Sequence, residues 1–323
     1  MGLNILFGTI IMILCSTIYS DKLKENIKDN PMSLKAAYNG KFLIGVALNL
    51  DLIEGVNNEA VKIVKTQFNS IVAENLMKST YLQPQEGKFY FKDADRFVSF
   101  GEKNDMHIVG HTLIWHSQTP DWFFTNEEGK YVSREILIER MRDYIYTVVS
   151  RYKGRVQGWD VVNEAILDNG EYRKSKFYEI IGEDYISLAF QFAKEADPTA
   201  ELYCNDYSTF IPAKRAAIVN LIKKLQSSGI KIDAVGMQVH YSLNYPSIKE
   251  LERAITAFAE LDINIMITEL DVSVLPYEKP DAGAEIADTL PYNKRQDPYR
   301  AGMPSVKLKE LSARYLSLFK PVG

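Results

Sequence analysis

Cysteine is nearly absent from this chain: Cys15 and Cys204 are the two among 323 residues. Cys15 lies in an apolar leader, so a chain processed beyond it keeps one thiol and no internal disulfide. There is no CxxC and no Cys/His cluster at zinc spacing. Histidine is scarce as well, with His107, His111, His116 and His240 and no HExxH pair. Neither sign of charge dominates, since 38 Lys and Arg against 42 Asp and Glu leave a net charge of −4. Without a global basic field nothing gathers phosphate backbones, so nucleic acid is not an expected partner. No Gly-rich phosphate loop follows the first strand-like run, which speaks against a dinucleotide-binding sheet. Pro/Gly/Ser linkers and low-complexity tracts are also missing, which leaves one large domain.

One long apolar run is present, from Leu3 to Ile18, followed by the charged Asp21, Lys22, Lys24 and Glu25. At roughly 16 residues it is short for a membrane span and suits the core of a signal peptide. Ser16, Thr17 and Ser20 supply small residues near a cleavage point, although Met1–Asn4 lacks the usual positive charge. The expectation is a signal peptide over 1–20, a barrel domain over 21–323, and export to the periplasm or the medium. Leu14 is large where lipid attachment at Cys15 needs a small residue, so a lipid anchor is not expected.

Beyond the leader, short apolar runs alternate with helical periodicity. Strand-like runs fall at 42–49, 70–76, 107–115, 158–166, 201–208, 234–241 and 264–272, each β-rich and apolar as strands buried on both faces are. Helical spacing is clearest over 133–152, where Leu137, Met141, Tyr144, Ile145, Val148 and Val149 recur at three- and four-residue steps. A second helix opens at Pro212 and stops before Gly229. Further helices are predicted at 57–67, 93–104, 175–196, 247–261 and 305–319. This alternation implies a parallel α/β sheet, closed or doubly wound. Seven strand–helix units are readable. An eighth would need about 30 more residues than follow the seventh, so the barrel reads as C-terminally incomplete. The stretch 276–303 reads as a long loop after the seventh strand.

In a barrel the catalytic groups sit at the C-terminal strand ends, and here those ends are polar. The second carries Glu74, Asn75 and Lys78; the third His111, Trp115, His116 and Gln118. The fourth carries Asn163 and Glu164, the fifth Asn205 and Asp206, the sixth Gln238 and His240, and the seventh Glu269 and Asp271. One acidic residue at a strand end can simply cap the next helix. Polar groups at six successive ends go beyond capping, because burying them without use costs stability. Glu164 and Glu269 end strands on opposite sides of the mouth, and two carboxylates flanking a substrate are what cleavage of a glycosidic bond requires. Gln238/His240 and Glu269/Asp271 are i, i+2 pairs on neighbouring strands. His240 is therefore expected between two carboxylates, orienting Glu269 and favouring its ionised form. Trp115 and Trp122 offer flat faces for sugar rings, with core packing the alternative for each. His107 opens the third strand at the far end and reads as structural, as does Asp160 within the fourth. A metal site built from His111, His116 and His240 is the weaker alternative.

Six strings, in order, bring a family into view: FNSIVAENLMK (68–78), GHTLIWHSQTPDW (110–122), GWDVVNEA (158–165), YCNDY (203–207), GMQVHY (236–241) and ITELDV (267–272). The chain strongly resembles glycoside hydrolase family 10, the endo-β-1,4-xylanases. The resemblance implies a TIM-type (β/α)8 barrel, no metal or organic cofactor, and xylan and xylo-oligosaccharides as partners, with no partner protein. It implies Glu164 as general acid/base and Glu269 as nucleophile, with Asn163 on the 2-hydroxyl of the sugar and His240 on the nucleophile, backed by Asp271. Glu74, Asn75, Lys78, His111, Trp115 and Gln118 would line the glycone subsites. Gln238 would lie at the nucleophile and sugar, and Asn205 near the acid/base. The implied chemistry is double displacement with retention, in a secreted enzyme, with carboxyl groups about 5–5.5 Å apart. One departure stands out. The family places a tryptophan on an eighth strand, whereas the last tryptophan here is Trp159. A non-catalytic xylan-binding remnant of the same family is the alternative.

Overall fold

The computed structural model describes residues 33–275 and 298–320. The expected leader and residues 276–297 of the expected long loop lie outside the described residues. Seven parallel strands pair in chain order: β1 (Gly45–Leu48), β2 (Ser70–Ala73), β3 (His107–Gly110), β5 (Gly158–Asn163), β6 (Glu201–Tyr207), β7 (Ala234–Gln238) and β9 (Asn264–Ile267). The two-residue β4 (Ile114–Trp115) runs beside β5. A small parallel pair, β8 (His240–Ser242) with β10 (Asp271–Ser273), carries the β7 and β9 directions further. The architecture is that of the α/β barrel.

The helices form where the periodicity places them, and their starts have chemical causes. Ser133 caps the helix Arg134–Arg151 by accepting the Ile136 N–H, and Leu137, Met141, Tyr144, Ile145, Val148 and Val149 form its buried face. Pro212 opens the helix Pro212–Ser227, where its missing N–H has no helical partner to lose. The predicted helix 175–196 is two helices, Lys176–Ile181 and Asp184–Ala196, broken at Gly182 with φ of 87°. Short helices at Leu50–Glu54 and Ser79–Leu82, not expected from the pattern, follow β1 and β2.

Three of the seven expected strands are interrupted near their C-terminal ends. The run 107–115 breaks between β3 and β4, 234–241 breaks at Val239, and 264–272 breaks between β9 and β10. Ladder pairing lapses at these breaks and resumes beyond them, β4 on β5 and β8 on β10. A β-bulge in β5 does related work. Asp160 lies beside Tyr203 and Asn163 beside Asn205, so two residues three apart share one face.

Inside the sheet, Val109, Tyr203 and Ala234 pack with Val72 and Met266 as a compact floor. Space there is tight: a Cβ on Gly110 would stand 2.1 Å from the Trp159 ring. Most of the core lies outside, between strands and helices. Each of β1 and β9 has one neighbour in the sheet among the described residues. Accordingly Ile265, Met266 and Ile267 of β9 are only partly buried, whereas every residue of β7 is buried.

Candidate active site

The polar strand ends converge above the apolar floor. Glu164 follows β5 directly and adopts a left-handed backbone, φ 59°, which is costly for a residue with a Cβ. Its N–H donates to the Asn205 carbonyl at 2.8 Å, and its own carbonyl accepts from Arg173 Nε at 2.9 Å. This turn carries the Glu164 side chain into the mouth, where Oε1 accepts from Gln238 Nε2 at 3.2 Å and, at 3.5 Å, from Asn163 Nδ2. His116 Nδ1 stands 3.8 Å from the other oxygen.

Glu269 follows β9. Its Oε1 accepts from Asn205 Nδ2 at 3.0 Å and its Oε2 meets His240 Nε2 at 3.1 Å. On the far side of that ring, Nδ1 meets Asp271 Oδ2 at 2.6 Å. His240 is thus held between two carboxylates, and the bonds to Asp271 and then Glu269 push its pKa up to about 10, so it is an imidazolium at neutral pH. Burial pushes the Glu269 carboxyl up. The hydrogen bond from His240, the fields of His111 and His240, and the Asn205 amide outweigh burial and hold it below the usual carboxylate range.

A chain of amides joins the two carboxylates. Asn163 Oδ1 accepts from both Gln238 Nε2 (3.1 Å) and Asn205 Nδ2 (3.0 Å), while Asn205 Oδ1 accepts from the Thr268 hydroxyl at 2.8 Å. Each bond constrains which way the amides face, and both carboxylates receive N–H donors.

The remaining predicted residues fall around this centre. His111 is buried with Nδ1 2.8 Å from Asp160 Oδ2. Asp160 is wholly buried; desolvation pushes its carboxyl up and the His111 contact partly offsets this. Lys78 is buried, donates to Asn75 Oδ1 at 2.8 Å, and places its Nζ 5.0 Å from the centre of the Trp115 ring. Gln118 is buried with φ 48°, and its carbonyl accepts the Thr80 N–H at 3.2 Å. Glu74 is exposed at the end of β2. Trp122 stacks on Phe123 at 4.1 Å and donates its indole N–H to the Gln83 carbonyl at 2.9 Å, which makes it part of the wall.

Gln238 hydrogen-bonds at Glu164 where the resemblance implies the nucleophile, because its amide reaches from β7 toward β5. Asn205 lies at Glu164 as implied, through its carbonyl, and its side chain reaches Glu269 as well. Arg173, Thr268 and Gly236 were missed. Arg173 sits in the loop after β5, where no periodicity marks it. Thr268 and Gly236 are ordinary strand residues by composition. Among the described residues no group of three His, Cys, Asp or Glu side chains could hold a metal ion, and no helix is long and apolar enough to cross a membrane.

A parallel α/β barrel whose strand ends present two carboxylates amid amides and histidines is a glycoside hydrolase scaffold. The chain belongs to glycosyl hydrolase family 10, whose family model matches residues 33–319. It is 49% identical over 294 residues to endo-1,4-beta-xylanase A of Xylanibacter ruminicola, covering 91% of this chain and 80% of that protein. It is 45% identical over 271 residues to endo-1,4-beta-xylanase A of Thermotoga maritima, covering 82% of this chain but 25% of that longer protein. Among solved structures, a GH10 endoxylanase from a sugarcane soil metagenome superposes with a TM-score of 0.85 at 42% identity, over 90% of this chain and 84% of that one. A mutant of the intracellular xylanase of Thermoanaerobacterium saccharolyticum in complex with xylotetraose gives 0.78 at 35% identity, over 90% and 84%.

Proposed function

We propose that this glycoside hydrolase is an exported endo-1,4-β-xylanase that cleaves internal bonds of xylan with retention of configuration. The observation that carries the reading is the unequal environment of the two carboxylates. Glu269 is held ionised by the His240 imidazolium and the Asn205 amide, as a nucleophile must be. Glu164 stands across the amide chain, facing neutral donors and the edge of His116. In this reading Glu164 gives its proton to the leaving glycosidic oxygen while Glu269 attacks the anomeric carbon, forming a glycosyl-enzyme. Glu164, now a carboxylate, takes a proton from water as the water oxygen bonds to the anomeric carbon and the bond to Glu269 breaks, which releases the sugar and restores both groups. In this reading Asn163 donates to the 2-hydroxyl, where bonds strengthen in the transition state. Glu74, Asn75, Lys78, His111, Trp115 and Gln118 form the sugar-binding side.

The test is reducing-sugar release from xylan by the full chain, with Glu164→Gln as the contamination control. Activity that disappears in the control supports the reading, and proton NMR of the first product should show the β-anomer. An α-anomer would refute retention. A xylan-binding protein without turnover is the second reading, favoured by the exposure of the Glu269 side, where that side chain is 31% and His240 47% accessible. Xylan binding with no sugar release from the unmodified chain would establish it. Export is tested by asking where the expressed chain accumulates and whether its N-terminus has been cut near residue 20.

A further inference from the structure

The strained Glu164 backbone needs something to hold it, and one cluster does so without facing the mouth. Residues 164–173 fold back as a tight excursion after β5: the Arg173 N–H bonds the Ala165 carbonyl at 2.8 Å, and the Leu167 N–H bonds the Glu171 carbonyl at 2.8 Å. From the returning arm, Arg173 Nε donates to the Glu164 carbonyl and Nη2 donates to the Tyr207 hydroxyl at 2.8 Å. The Tyr207 ring in turn lies under Lys214 Nζ at 3.3 Å. Lys214 is fully buried and pairs with Asp206 Oδ1 at 2.8 Å, with Asp168 Oδ1 at 3.4 Å. Asp206 closes the ring, for its Oδ2 accepts the Ile166 N–H at 3.1 Å, two residues past Glu164.

A buried lysine is costly to keep, and the proposed chemistry does not use this one. What it does is neutralise Asp206, so that a carboxylate can grip the 164–166 backbone in the interior. The segment is then fixed at three points: the Glu164 N–H by Asn205, its carbonyl by Arg173, and the Ile166 N–H by Asp206. We propose that Arg173, supported by Tyr207 and the buried Lys214–Asp206 pair, is a positioning residue that locks Glu164 in its left-handed conformation and so aims its carboxyl at the leaving oxygen. The inference rests on Glu164 being the acid/base.

Aryl β-xylobiosides separate aim from folding. A dinitrophenolate leaves without a proton, whereas a phenolate needs one, and kcat/KM reports the first displacement for both. The full chain is compared with Arg173→Ala, with the milder Tyr207→Phe, and with Glu164→Ala. For Arg173→Ala, kcat/KM on the phenyl substrate should fall about 10- to 100-fold, a part of what a general acid contributes. On the dinitrophenyl substrate it should change less than about threefold, since no proton transfer is lost there. Tyr207→Phe should show the same sense with a smaller loss. Equal losses on both substrates, or no loss on either, in these two variants would overturn the proposal. If Glu164→Ala itself lost activity equally on both, the acid/base assignment would fall and the proposal with it. Leaving-group dependence in Glu164→Ala alone would overturn only the positioning role.

Discussion

Adding one methyl group at Gly236 should damage a site in which glycine has no side chain to contribute. Gly236 lies opposite Asn205 in the β6–β7 ladder. A Cβ built there stands 2.4 Å from Asn205 Oδ1, 3.0 Å from its Cγ and 3.0 Å from Thr268 Cγ2. Carbon and oxygen settle at about 3.3–3.6 Å, so the amide must retreat by roughly 1 Å. Asn205 is fully buried and its Nδ2 bonds to Asn163 and Glu269 are both 3.0 Å long, so a retreat of that size stretches them past hydrogen-bonding range. Overpacking of this kind costs about 1–3 kcal/mol. At roughly 2–4 °C per kcal/mol, Gly236→Ala should lower Tm by about 2–12 °C. Misplacing groups around Glu269, the proposed nucleophile, by about 1 Å should lower kcat/KM on the order of 10²-fold. Gly45→Ala is the matched control. Its Cβ would meet nothing closer than Ser70 Cβ at 3.6 Å, and its backbone is not left-handed. That variant should keep full activity and gain up to about 1 kcal/mol through the unfolded chain. Xylan assays and thermal melts on the pair decide the matter. Gly236→Ala with unmodified Tm and kcat/KM would show that the Asn205 amide is not fixed where the bonds place it.

Three other outcomes follow from the same geometry. Glu269→Ala should abolish xylan turnover while leaving xylan binding measurable by affinity electrophoresis; retained turnover would remove Glu269 from the chemistry. The His240 pKa is raised from 6.5 to about 10 on folding, by Asp271 first and Glu269 second. Its stabilising effect is therefore complete below pH 6.5 and disappears as pH rises through about 10. Its side chain is nearly half exposed, so the difference in stability between the unmodified chain and His240→Gln should be under about 1 kcal/mol. Urea melts should show it at pH 6 and not above pH 10, and a pH-independent difference would contradict the assignment. The Cys204 thiol is buried and desolvation pushes its pKa far up. Iodoacetamide should leave the Cys204 peptide unlabelled in the folded protein and label it in denaturant, as peptide mass spectrometry would show.

The parts of this molecule that were legible in sequence are those governed by period and composition. Seven apolar runs mark seven parallel strands because a strand buried on both faces must be apolar throughout, and the helix Arg134–Arg151 buries the face its spacing marks. The polar residues after each run were legible because interior positions do not carry unneeded charge. What escaped was set by single residues changing direction. Period two places Asp160 and Asn163 on opposite faces of β5, yet the bulge brings both inward, Asp160 to His111 and Asn163 to Asn205. The left-handed turns at Glu164 and Gln118 occur at residues with no intrinsic preference for them, so tertiary contacts impose them. Arg173 was hidden for a similar reason: its importance comes from a carbonyl it reaches across a loop.

The two carboxylates are supported in different ways, and the difference follows from their places in the sheet. Glu164 leaves a strand with neighbours on both sides, and its backbone is fixed by Asn205, Arg173 and, through Ile166, Asp206. Its side chain accepts from the neutral Gln238 and Asn163 amides at one oxygen, with His116 Nδ1 3.8 Å from the other. Glu269 leaves β9, which has one sheet neighbour among the described residues. Its backbone is bonded on that one side, by the Thr268 N–H to the Met237 carbonyl at 3.0 Å and the Asp271 N–H to the Val239 carbonyl at 3.2 Å. Its side chain is gripped at one oxygen by Asn205 and at the other by an imidazolium that Asp271 holds in place. A charge-assisted grip suits a group that must stay ionised, and it is roughly twice as strong as one between neutral partners. A neutral grip suits a group that must both give and accept a proton, because a fixed positive charge beside it would favour only one of those states.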